Sequence, residues 1–473
     1  MRPNLAKRRS SVVAVLLTVA GLVAASCQSA TPPTPPTTVV QAGNLQPAPA
    51  GAQPSGWDTP ESVRGQLTRV ATYDSAGPDA WDVKASPSVY LTSEGMGYSH
   101  RLSKTNKLPG VQVIDAYSKK VVASSLFDLG NEVLSQPHGL GVSPDGKFAY
   151  IGFSDRVAAT KATRNLILIV NTRTLKLDSV LSHPTQRLHH VGGFKDSKGN
   201  DRVVINLGFG ATGGPHFVLD PKSSNKVVQA ITFDNVRPMG HPYTAPDPTG
   251  KYVYISMGAP EIREADAYAA SIAKFDLDSK AVTVIHGVGN HPIGIAHTAD
   301  GKLTYVIDGT NSLIFKIDNA TNAVVAKTSA GVAGPYGIAL NWDGTKIYTM
   351  GKGEGTHNTG GVVGVIDTKT FTATRDLNQP INIEGAIIDH AILHPDPAVN
   401  ELWISSAGTW ETIVLDLNTN KVKARIPSPN GGDTHSGAFV KYNADWTGTL
   451  QSDMLGPKAD MFATMKAKAA AVK

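Results

Sequence analysis

The chain has 473 residues, a formal charge of +5 and one cysteine, Cys27, so later segments can hold no disulfide, thiolate metal site, iron–sulfur cluster or cysteine nucleophile. Four of its 44 cationic residues (Arg2, Lys7, Arg8, Arg9) and none of its 39 acidic ones fall in residues 1–26, which leaves 40 against 39 in the remainder. That near-neutral remainder has no basic stripe and gives no reason to propose nucleic acid as a partner.

In chain order, residues 1–26 read as an export signal. Lys7, Arg8 and Arg9 precede an apolar run, Ser11 to Ala25, that is too short to span a membrane comfortably. The run ends in Ala24-Ala25-Ser26-Cys27, which resembles a bacterial lipoprotein signal with Cys27 as the lipidated residue. That resemblance implies a periplasmic or other extracytoplasmic protein, attached to the membrane only through a lipid anchor. Ordinary cleavage nearby would also mean export. Residues 27–65 are rich in Pro and Thr and show no apolar period, so they read as an extended linker.

From residue 66 a unit of about 50 residues repeats, the spacing of propeller blades. Segments such as "KFAYIGFS", "LILIVNTRT" and "LKLDSVLS" are rich in Val, Ile, Tyr and Phe and are punctuated by Gly, Asp, Asn and Pro. Each set of three follows an innermost strand, giving four strands per unit. The last unit is split: "HSGAFVKYN" supplies only its inner strand. The other three lie near the start of the propeller region, in "PSVYLTSEG", "GVQVIDAYS" and "KVVASSLFDL". The expectation is an all-β, seven-bladed β-propeller over residues 66–450, with four-stranded blades and the last blade closed by N- and C-terminal segments. Residues 451–473 form a C-terminal tail, a short helix or a frayed end. Asp115, Asn171, Asp220, Asp276, Asp318, Asp367 and Asp416 recur at the end of each third strand, where they read as turn caps. "PHGLGVSPDGKFAYIGFSD" and "HPIGIAHTADGKLTYVID" resemble bacterial seven-bladed propellers of the YVTN type, a fold that hosts many functions.

Just before each inner strand the same position carries an imidazole in six of seven units. The residues are His138, His190 (beside His189), His241, His291, His390 and His435, with Tyr336 in the remaining unit. A ring of blades turns one repeat position into a circle around the hub, so these side chains are expected at one mouth of the channel. Loops between second and third strands emerge on the same face and add His100 and His357, with His216 a further candidate. They also bring charged neighbours, including Glu94, Arg101, Lys104, Arg187, Lys352, Glu354 and Glu384. The registers are uneven: His190 and His241 are offset by one from the others and His291 by two, and one residue in a regular strand reverses the side chain. An imidazole-rich site without thiolates suits copper, zinc, iron or nickel, with copper binding tightest of the divalent ions. Glu384, Glu94 and Glu354 are expected to orient the second ring nitrogens. The plainer alternative is that each histidine caps its own turn.

A histidine ring at the mouth of an exported seven-bladed propeller resembles the copper propellers of nitrous oxide reductases and, more closely, of thiocyanate dehydrogenases. The resemblance implies a multinuclear copper cofactor with His138, His190, His241, His291, His390 and His435 as ligands. On this reading His100, His189 and His357 are further metal candidates. The implied activity is oxidoreduction of a small inorganic substrate, with a cytochrome c or cupredoxin as electron partner. Arg101, Lys104 or Lys352 would hold an anion and Glu384 would move a proton. The stretches "IDHAILHPDPAVNELWISSAGTWETIVLDLNTNKV" and "DTHSGAFVKY" also resemble haem d1-binding and d1-assembly propellers, where one or two histidines would grip the macrocycle. A non-catalytic propeller that binds a protein or glycan is the third reading.

Overall fold

The computed structural model describes residues 37–41, 66–95, 108–135, 137–208, 214–231, 243–257, 271–353 and 360–472. Over these residues the β-rich segments form seven sheets in a ring, a seven-bladed β-propeller. The inner strands of blades 1 to 6 are Leu140–Val142, Leu188–Lys195, Thr244–Pro246, Pro292–His297, Pro335–Leu340 and Ile388–Leu393. Each leads outward through three further antiparallel strands. Blade 7 is closed as the sequence suggests: the inner strand Gly437–Tyr442 pairs with Ser88–Glu94, which continues to Gly110–Asp115 and Val121–Asp128.

The turn caps follow the repeat. Asp318 Oδ1 accepts the N–H groups of Ala320 and Thr321 at 3.0 and 2.9 Å, and Asp416 Oδ1 accepts those of Asn418 and Thr419 at 2.8 and 3.0 Å. The other five members do the same for their own turns, satisfying amides that would otherwise face each other unpaired. Inner strands run close together at the hub: a Cβ on Gly141 would stand 2.5 Å from the Val191 carbonyl oxygen of the next blade. Further out, aromatic side chains seal the seams. Trp403 of blade 6 is fully buried, its ring 5.0 Å from Tyr90 and 5.1 Å from Phe439 of blade 7. Burying one such side chain stabilises the seam by about 1.5–3 kcal/mol.

Two strands added to outer blade edges lie outside this plan. Thr37–Gln41, in the expected linker, pairs in parallel with Val121–Asp128 on the outer edge of blade 7. Thr68–Thr72 pairs antiparallel with Leu177–His183 on the outer edge of blade 1. Both are rich in Thr and Val, which suit an open sheet edge.

The tail is part of the fold. Gly448–Asp453 pairs with the channel-side edge of Gly437–Tyr442, and a helix follows at Ala459–Ala471. It spans the channel end nearest the first-to-second-strand turns. Leu450 N–H donates to Pro144 O (2.9 Å), Gly193 N–H to Asp453 Oδ2 (3.2 Å) and Ser452 Oγ to Leu393 O (2.8 Å), reaching blades 1, 2 and 6. Met461 and Met465 of the helix are buried in the core shared by blades 4 to 6. No helix among the described residues is long and apolar enough to cross a membrane.

Candidate metal centre

At the opposite end of the hub, five imidazoles meet. Ring centroids lie 3.7 Å apart for His138–His435 and for His189–His190, 5.1 Å for His190–His390 and 5.2 Å for His390–His435. All five side chains are buried. Tyr336 fills the gap in the ring: its hydroxyl stands 3.1 Å from Nε2 of both His189 and His190. One ligand atom from each of His138, His190 and His435 can be chosen so that all lie within 4.8 Å of one another.

The backbone explains how unevenly registered residues converge. The ladder slips between Leu188 and His190 in blade 2, between Pro335 and Ile338 in blade 5 and between Ile388 and Ala391 in blade 6. Each bulge falls at the ring position, and in blade 2 it offsets the one-residue shift of His190 that a regular strand would turn away from the hub. In blade 1, Gly139 at φ 90° allows the turn directly after His138. Ser405 fastens two neighbours together, accepting from His390 N–H at 3.0 Å and donating to His435 O at 2.7 Å.

Burial sets the protonation state. It pushes His138, His190 and His390 well below the usual imidazole range, and the neighbouring rings push the same way. His435 is lowered by burial too, against the opposing pull of Asp389. The rings are therefore neutral near pH 7, the form that binds metals. Among the described residues, His190 Nδ1, His390 Nε2 and His435 Nε2 find no hydrogen-bond partner.

Two buried carboxylates support the ring. Asp389 Oδ2 lies 3.1 Å from His435 Nδ1 and its Oδ1 lies 2.8 Å from Lys352 Nζ, while Asp433 Oδ2 is 3.8 Å from the same imidazole nitrogen. The Lys352 ammonium also sits 3.7 Å from the centre of the Tyr336 ring. Burial pushes the Asp389 carboxyl up, but His435 and Lys352 more than offset it and hold the group at about 2. With Lys352 carrying the positive charge, His435 stays neutral, its Nδ1 facing the carboxylate.

His138, His189, His190, His390 and His435 are thus brought together with Lys352 and Tyr336. For His291 the structure fixes the backbone: it precedes the blade 4 inner strand, buried, with its N–H donating to Asp308 Oδ1 at 3.1 Å. His100, His241, His357, Arg101, Lys104 and Glu354 lie outside the described residues. Glu384 does not join the cluster. Its side chain is 83% exposed beside Arg425, because a left-handed turn (φ 52°) directs it to solvent. Nor does Glu94 orient a ring nitrogen: its buried carboxylate is taken up by Ser124, Ser428 and Asn430. The supporting carboxylates are instead Asp389 and Asp433, in the "DH" of "IDHAILHP" and the "DTH" of "DTHSGAF". That spacing was the available signal. Tyr243, whose ring is 5.1 Å from His190 and whose hydroxyl donates to Met454 O, had none.

No family model and no curated protein matches the sequence. Among solved structures, the chain is similar to the dihydro-heme d1 dehydrogenase NirN in complex with DHE, with 14% identity and a TM-score of 0.48 over 84% of this chain and 78% of that one. It is also similar to a functionally unknown protein from Desulfotomaculum acetoxidans, with 12% identity and a TM-score of 0.48 over 73% of this chain and 98% of that one.

Proposed function

We propose that this chain is a metal-dependent oxidoreductase whose copper centre is held at the hub by His138, His190 and His435, with His189, His390 and Tyr336 around it. One observation carries the reading: neutral, buried imidazoles with ligand atoms within 4.8 Å of one another and unpartnered nitrogens among them. Left without a partner, each such nitrogen would cost about 1–3 kcal/mol. A metal ion removes that cost. All-imidazole ligation without thiolate favours copper in the divalent series. Copper would supply one-electron chemistry at this position.

The arrangement favours ions over a macrocycle. Ring centroids only 3.7 Å apart leave no slot between those rings for a planar cofactor, whereas small ions fit among their nitrogens. Lys352, beside the ring and paired with Asp389, would set the local field and favour a small anionic or neutral inorganic substrate. An exported location and a cytochrome c or cupredoxin as electron partner belong to the same proposal.

Metal analysis of the mature protein, expressed without a histidine tag, tests it. About one or more coppers per chain are expected after loading, with stability raised by about 2.7 kcal/mol at a free copper concentration 100-fold above Kd. Less than one copper with unchanged thermal stability would refute the reading.

A further inference from the structure

Asp389, Asp433 and His435 form a second group whose ligand atoms lie within 4.8 Å of one another. It invites assignment as another ion position, but the contacts argue otherwise. Asp389 Oδ1 already bears the Lys352 ammonium at 2.8 Å, and its Oδ2 faces His435 Nδ1 at 3.1 Å. Both oxygens already face a nitrogen, and the positive charge a cation would bring is already present. Asp433, at 3.8 Å, stands beyond hydrogen-bond reach of that nitrogen.

Resting on the metal reading above, we infer that Asp389 is a positioning residue: by accepting Nδ1–H of His435 it commits that ring to ligation through Nε2. An imidazole whose Nδ1 proton is held has one lone pair left, on Nε2. In His435, Nδ1 lies 3.1 Å from Asp389 Oδ2, while Nε2 has no hydrogen-bond partner among the described residues. The Lys352 ammonium, 2.8 Å from Oδ1, holds the carboxylate in place with Oδ2 toward the ring. Lys352 is in turn held over Tyr336, whose hydroxyl touches His189 and His190. One carboxylate therefore sets the tautomer of one ligand and shares a cation with the opposite side of the ring.

The test uses copper(II) and the full mature chain. Affinity is read by competition with a chelator, and ligation by the remote-nitrogen couplings in pulsed electron paramagnetic resonance. Asp389→Asn should weaken copper binding about ten- to a hundredfold and alter the couplings, as loss of an outer carboxylate does. Asp433→Asn should change affinity less than about threefold. If Asp389→Asn does not fold, Asp389→Asn/Lys352→Met removes the buried pair together and must show the same loss. Wild-type affinity with an unaltered spectrum in the folded variant overturns the positioning role alone. An equal loss in Asp433→Asn assigns the role to the wrong carboxylate and overturns it too. A wild-type protein that takes up no copper overturns the metal reading, and the positioning role with it.

Discussion

Acid should destabilise this protein through histidines that have no part in the hub. His216, the first residue of a third strand in blade 2, is fully buried, and neither ring nitrogen has a hydrogen-bond partner among the described residues. Burial lowers it to about 3, and burial likewise lowers His297, the last residue of the blade 4 inner strand, to about 4. In the unfolded chain an imidazole titrates near about 6.5. Between that value and the folded one, the unfolded state binds a proton that the folded state refuses, so stability is full above pH ~6.5 and falls as pH drops. At pH 5 the gap is about 1.5 units, or about 2 kcal/mol for each residue, and it is the same for any folded value well under 5. Replacing His216 with Leu, of similar volume, removes one such proton. Chemical unfolding of the metal-free protein at pH 8 and pH 5 should therefore show a stability difference about 2 kcal/mol smaller in His216→Leu than in the wild type. An unchanged difference would mean that the folded ring accepts the proton and that burial does not govern its titration.

Two further outcomes follow from buried contacts. Arg164 and Asp155 of blade 1 form a buried two-point pair, with Nε–Oδ1 at 2.9 Å, so Arg164→Met should cost about 3–5 kcal/mol in denaturant unfolding by stranding the carboxylate. A double replacement of the pair by apolar residues should restore most of that loss. Met465 of the C-terminal helix is buried in the core shared by blades 4 to 6, and Met465→Ala should lower stability by about 2–5 kcal/mol. A smaller effect would show that the helix is not bound to the ring as described.

Much of the wheel was legible because its signals repeat. The strand-end Asp or Asn residues gave the register, and the orphan strand at His435–Asn443 had to find its partners near the N-terminus. Convergence of the imidazoles was legible too, but the means was not. Single-residue bulges leave no mark in the hydrophobic pattern, and the one at Leu188/His190 is what a one-residue offset of His190 required. Orienting carboxylates were sought among glutamates of the loops, since those are charged residues on the expected face. Asp389 and Asp433 sit beside the histidines in the chain itself, one and two residues ahead of a ring position, where Asp also reads as a turn former. Thr37–Gln41 was hidden by the prolines around it. Its pairing depends on an edge strand more than 80 residues away, which no local propensity records.

The tail connects the fold to the chemistry of the hub. Across the turn-side end of the channel it places Leu450, Met454 and Leu455, all buried, and Tyr243 links its Met454 carbonyl to the ring packed against His190. A channel filled with water at that end would solvate the imidazoles and let them take protons in mildly acidic conditions. Filled with the chain's own apolar side chains, it holds the rings in a medium of low polarity, where the charged imidazolium is disfavoured. Neutrality is also what a metal ligand requires, because the proton and the ion compete for the same lone pair. Residues 448–455 thus help make the cluster a ligand set, although none of their side chains belongs to it.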